Sequence, residues 1–153
     1  MTVLFVGNTS TNSVNRKSYS GRAAAHRAGS SMLHVINCVG MCEFMYYNLP
    51  SANVVTDFLN AATGWNLTTD ELVKTGERIG TLRHAFNLRE GINPLKTPIP
   101  ARLDGSPSLQ VGPLKGVATL IRGYLKVMDW DPVTAKPSVE RLRDLGLEDV
   151  IGD

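Results

Sequence analysis

Thr68-Thr69-Asp70-Glu71-Leu72-Val73-Lys74-Thr75-Gly76-Glu77-Arg78-Ile79-Gly80-Thr81-Leu82-Arg83-His84-Ala85-Phe86-Asn87-Leu88-Arg89-Glu90-Gly91 is the stretch whose reading decides the fold. Leu72, Gly76, Ile79, Leu82, Arg83 and Phe86 recur at three- and four-residue steps, so one face of a long helix packs against neighbours. Thr68 stands where its hydroxyl can accept a first-turn amide, and Glu71, three residues on, can reach back to complete a capping box. Gly76 and Gly80 permit close helix approach or mark a kink. Asn87 to Gly91 ends the helix.

Outward from this segment the chain keeps reading as helix. Ser51 caps a helix whose apolar face is Val54, Val55, Phe58, Leu59 and Ala62, closed by Gly64. From Arg22 to about Ile36 an Ala-rich opening and the set Ala28, Met32, Val35 and Ile36 predict another, weakened in propensity at Gly29-Ser30-Ser31. After Gly112-Pro113, the residues Val117, Leu120, Ile121, Tyr124, Leu125 and Met128 share an apolar side that ends near Trp130. A last short helix is capped by Ser138 and stops at Leu145-Gly146. Between them, Pro94 to Pro107 is too rich in proline to propagate a helix and reads as an extended surface strap. Strand-like alternation is missing after residue 20. The expected class is all-α, an irregular multihelical domain over residues 21–153, preceded by a leader or linker at 1–20 built from a short apolar pentad and a Ser/Thr/Asn-rich tract.

The 153 residues are 42% hydrophobic and 20% charged with a formal net charge of +2, which fits one ordinary domain. So small a positive balance argues against nucleic acid as a partner. No apolar run approaches the length of a membrane span. The opening apolar pentad has no basic region before it and no cleavage signature after it, so a cytoplasmic setting is expected. Acidic residues are absent before Glu43, while Arg16, Lys17, Arg22 and Arg27 are present. That segment reads either as a solvated tail or as a face for an anionic ligand or acidic partner.

Chemistry concentrates in Asn37-Cys38-Val39-Gly40-Met41-Cys42. Thiolates bind iron, zinc or copper, but two are too few for a closed tetrahedral site or for the four cysteines of an iron–sulfur cluster. Any metal here borrows ligands. The alternative is that both cysteines are small buried hydrophobes. His34, Cys38 and Cys42 share a helix face if the helix persists, which offers a zinc site with a borrowed fourth position, although Gly40 breaks a helix at that point. His26 and His84 read as surface or satisfied core residues. Arg83, Arg89 and Glu90 suggest a buried or semi-buried ion pair pinning the long helix to the strap, with a cofactor-binding role as the alternative. Gly112 to Gly116 lacks phosphate-loop spacing and reads as a turn. Trp65 and Trp130 read as core or interface aromatics.

The ordered series Asn37-x-x-Gly40-Met41-Cys42, Thr63-Gly64-Trp65, Glu71-Leu72 with Gly76-Glu77-Arg78-Ile79, Phe86 to Gly91, Gly112 to Gly116, Trp130-Asp131 and Leu142 to Leu147 resembles the C-terminal helical domain of the aldehyde:ferredoxin oxidoreductase family. The likeness runs from about Gly21 to the C-terminus. It implies an oxidoreductase with a tungsten bis-pterin, occasionally molybdenum, and one 4Fe–4S cluster, oxidising aldehydes to carboxylates with ferredoxin as acceptor; a related branch reduces benzoyl-CoA. It also implies that Cys42 is the fourth cluster ligand, closing the family's D-x-x-G-L-C motif, with three cysteines supplied by an earlier C-x-x-C-x-x-x-C segment that this sequence lacks. Asn37 stands at the motif's pterin-bonding Asp, keeping hydrogen-bonding capacity without charge. Gly40 lets backbone approach a cofactor, Met41 replaces Leu, and Cys38 falls outside the ligand position as a packed thiol. The resemblance further implies that the chain is a fragment or separately encoded C-terminal piece, inactive alone, whose partners are the enzyme's remaining domains and ferredoxin or another electron-transfer subunit. The runner-up is a free-standing helical metal-binding or interaction module using His34, Cys38 and Cys42.

Overall fold

The computed structural model describes residues 20–97 and 117–150. These described residues hold, in order, the helices α1 (Arg22–Cys38), α2 (Glu43–Tyr46), α3 (Asn53–Thr63), α4 (Thr69–Arg89), α5 (Val117–Met128) and α6 (Val139–Asp144), then a 3₁₀ turn at Glu148–Val150. Among the described residues there is no strand, only an isolated bridge between Trp130 and Pro137. The protein is all-α. The leader or linker at 1–20, apart from Ser20, most of the proposed strap and the turn at Gly112 to Gly116 lie outside the described residues.

The helix ends follow their local chemistry. Thr68 and Glu71 form the reciprocal capping box, with Glu71 N–H donating to Thr68 Oγ1 at 3.2 Å and Thr68 N–H donating to Glu71 Oε2 at 2.7 Å. Ser138 Oγ accepts from Arg141 N–H at 3.0 Å to open α6. Ser51 acts one residue earlier than a strict cap: Asn53 N–H donates to its hydroxyl while Ala52 holds the cap position. Gly29, Ser30 and Ser31 do not interrupt α1, because both serine hydroxyls donate back to the Arg27 carbonyl and stay inside the helical register.

Among the described residues the core is three clusters rather than one. Met32, Val35 and Ile36 of α1 close with Tyr46, Ala52, Val55 and Leu72. Leu125, Met128, Trp130 and Ala135 form a second group, and Leu142, Leu145 and Leu147 a third. α1 lies principally against α4 and then α5. Backbones meet where α4 is bare: a Cβ on Gly76 would stand 2.6 Å from the Ser31 carbonyl carbon, and one on Gly80 would stand 2.8 Å from His34 Cδ2. Close approach, not a kink, is what these glycines serve.

Three expectations about faces need correction. On α4 the buried residues are Leu72, Gly76, Glu77 and Thr81, while Leu82 and Phe86 are exposed. Two glycines leave that side so slim that α1 rides on it, turning the larger apolar residues outward. On α3 the buried residues are Val55 and Thr56, and Phe58 is exposed. Trp65 is 60% exposed and so is no core residue, whereas Trp130 is buried, stacked on His84 with ring centroids 3.8 Å apart and edge-on to Tyr124. His84 Nε2 meets the Ala135 carbonyl at 2.8 Å, which makes it a satisfied core histidine as expected.

The ion pair expected at Arg83, Arg89 and Glu90 forms without Arg83. Arg89 and Glu90 pair at 3.2 Å with half-exposed side chains, and Arg83 instead reaches His34 Nδ1 at 3.2 Å. The buried carboxylate is Glu77. Arg27 Nε and Nη2 donate to its two oxygens at 2.6 and 2.8 Å, Arg141 joins from α6, and Arg27 Nη1 also donates to the Val127 carbonyl at 2.9 Å. One carboxylate therefore ties α1, α4 and α6, with α5 held through Arg27. This assigns Arg27 an internal anion, so it is not available to the cationic face read from the sequence.

Candidate functional site

Asn37 to Cys42 forms the exit from α1 and is a Schellman turn. Gly40 sits at the first position past the cap with φ +72, its N–H directed at the Asn37 carbonyl at 3.4 Å, and Met41 N–H donates to the Ile36 carbonyl at 3.1 Å. Among the described residues, chain neighbours aside, nothing lies within 4 Å of a Cβ built on Gly40, so the glycine is required here by its backbone angle. Met41, next in line, folds back onto the cluster of Met32, Val35 and Ile36. That contact is the hydrophobic closure such turns use, and Met serves it as well as Leu would.

With Met41 anchored, Cys42 is held in extended backbone at φ −67, ψ 129, and it is exposed. Its own carbonyl accepts from Tyr46 N–H at 3.1 Å to begin α2, a helix the sequence reading did not anticipate. Near it in the sequence Val39, Phe44, Met45 and Tyr47 are all exposed, with Phe44 at 79%. Asn37 is exposed on the last turn of α1, so its carboxamide is open to a ligand.

Cys38 is exposed as well, which corrects the expectation of a packed thiol. It is the last helical residue of α1, and it borders an open groove of about 610 Å³ with Val39, Leu59, Trp65, Leu67 and Ile79. Cys42 is not among the residues lining that groove. The zinc arrangement of His34, Cys38 and Cys42 is likewise not formed: α1 ends at Cys38, the left-handed Gly40 reverses the chain, and among the described residues no three of His, Cys, Asp and Glu come together. His34 faces Arg83, whose guanidinium can only donate, so Nδ1 is the acceptor. Burial, helped by that positive charge, lowers the His34 pKa below its ordinary value.

The donor set fits a shared cluster and not a private one. One exposed thiolate on a turn, outside any helix, is a competent ligand to iron, and three more must come from elsewhere. Beside it, Glu43 and Tyr47 form a dyad that sequence reasoning missed: Tyr47 Oη donates to Glu43 Oε1 at 2.5 Å. The hydrogen bond to this carboxylate raises the Tyr47 pKa. An acid and a tyrosine four residues apart are the signal that was available. Among the described residues no helix is long and apolar enough to cross a membrane.

Comparison with known proteins bears on the same segment. The sequence model described as aldehyde ferredoxin oxidoreductase, domains 2 and 3, matches residues 4–147. The match begins earlier than the resemblance noted from Gly21 onward. The tungsten-containing aldehyde ferredoxin oxidoreductase of Pyrococcus horikoshii is 38% identical over 120 residues, covering 75% of this chain and 19% of that protein. Those of Pyrococcus abyssi and Pyrococcus furiosus are 37% and 34% identical over 122 and 118 residues. The chain spans about a fifth of the length of these curated relatives. With the family's pattern matched over nearly its whole length, this all-α chain belongs to the aldehyde ferredoxin oxidoreductase family.

Proposed function

We propose that residues 21–153 act as the C-terminal helical part of a tungsten-pterin, iron–sulfur oxidoreductase of the cytoplasm that converts aldehydes to carboxylates with ferredoxin as acceptor. In this reading Cys42 supplies the fourth thiolate to a 4Fe–4S cluster shared with the enzyme's remaining domains, and Asn37, Gly40 and Met41 contribute to the pterin pocket. The observation that carries it is the turn itself. Gly40 and Met41 lock the chain so that the next side chain, Cys42, is presented in the open on a fixed backbone.

When bound, the tungsten pterin carries the two-electron oxidation and the cluster passes electrons singly. This chain's residues bind and orient. Asn37 can donate to and accept from a heterocycle, and the open space over Gly40 leaves room for one to approach. Val39, Phe44 and Met45, near Cys42 in the sequence, are exposed apolar residues able to exclude water once covered. The experiment is anaerobic purification and assay with aldehydes and a viologen dye, alone and together with the family's pterin-binding portion. Turnover is expected only in the combination. Sustained, metal-dependent turnover by this chain alone would refute the assignment.

A further inference from the structure

Glu43 directly follows Cys42 and is held in place by a neutral group. Tyr47 Oη donates to its carboxylate at 2.5 Å across one turn of α2. Among the described residues Glu43 takes part in no ion pair, in contrast to Glu77 and Asp144, which are each bound by two cations. The sequence around it explains why: between Arg27 and Lys74 there is no lysine or arginine. The next two residues, Phe44 and Met45, are apolar and exposed. A fixed and uncompensated negative charge thus stands one residue from the thiolate.

We propose that Glu43, tethered by Tyr47, is a positioning residue that lowers the reduction potential of the centre ligated by Cys42. The inference rests on the assignment of Cys42 as a cluster ligand. Cluster potentials depend on net charge, hydrogen bonding and solvent exposure, and adding an electron beside a fixed anion is disfavoured. Covering these exposed apolar residues on assembly removes the water that would screen the charge. Tyr47 keeps the carboxylate from swinging away into solvent.

The test is a redox titration of the assembled holoenzyme, following the reduced-cluster signal by electron paramagnetic resonance alongside iron content. Glu43→Gln should retain the iron and shift the midpoint to more positive values, by about tenfold in the reduced-to-oxidised ratio at fixed potential, or about 59 mV for a one-electron couple. Tyr47→Phe keeps the charge and releases its tether, so a smaller shift of the same sign is expected. It also keeps the proposal testable if Glu43→Gln is poorly assembled. An unmoved midpoint in either cluster-loaded variant overturns the role of Glu43. A cluster that survives Cys42→Ala would instead overturn the ligand assignment, and the two failures are therefore distinct.

Discussion

The Ser31 carbonyl occupies the space a β-carbon on Gly76 would need, with its carbon atom 2.6 Å from that position. This backbone-to-backbone contact sets the spacing of α1 and α4, and hence where α1 releases the chain into the Cys42 turn. Gly76→Ala gains about 1 kcal/mol of helix propensity but forces the helices apart, an overpacking strain of about 1–3 kcal/mol that a main-chain neighbour cannot relieve by rotating. A net loss of stability in urea unfolding is expected. Gly80→Ala should cost less, because the group it meets is the His34 imidazole, a side chain. Equal or stabilising effects at Gly76 would contradict the close contact.

Glu77 should make the fold sensitive to acid. Desolvation raises its pKa, but hydrogen bonds from Arg27 and Arg141, with their charges, outweigh that and hold the carboxyl below its ordinary value of 4.5. A carboxyl depressed in the folded state stabilises the protein fully above about 4.5, and that contribution is lost as pH falls through the folded value. Glu77→Gln takes from Arg141, only 10% exposed, its buried carboxylate and leaves it the half-exposed Asp144, and should cost about 3 kcal/mol near neutrality. Arg27, at 35%, has water to turn to and contributes less. Stability measured from about pH 7 to about pH 3 should show the gap between wild type and variant closing in acid; a constant gap would contradict the pairing.

Gly40 tests the turn. At φ +72 with open space around its α-carbon, alanine meets backbone strain and no clash, so Gly40→Ala should destabilise by about 1–2 kcal/mol and Gly40→Asn by less. If alanine and asparagine cost the same, the left-handed geometry is not what selects glycine.

What the sequence made legible was local. The capping box at Thr68 and Glu71, the glycine closing α3, the Ser138 cap and the apolar set Ala28, Met32, Val35 and Ile36 of α1 each depend on residues within a turn or two of one another. The turn at Gly40 was read as a helix break for the same reason. Less visible was anything joining distant segments. Arg27 and Arg141 stand 50 and 64 positions from Glu77, and no periodicity announces such a triad. A carboxylate beside Gly76 on a packing face was the available signal. Leu82, Phe86 and Phe58 misled because hydrophobicity was taken to mark the buried side, when glycine and threonine mark it here. Cys38 misled similarly: the thiol at the end of α1 is exposed.

The central claim is that Cys42 and Cys38 differ in kind, and the direct measurement is iron content with the low-temperature electron paramagnetic resonance spectrum of the reduced holoenzyme. Cys42→Ala should lose or damage the 4Fe–4S centre and interrupt ferredoxin reduction. Cys38→Ala, at an exposed helix end, should keep the signal and change stability by no more than about 0.5 kcal/mol. Equal sensitivity at both positions, or an intact cluster without Cys42, would contradict the account.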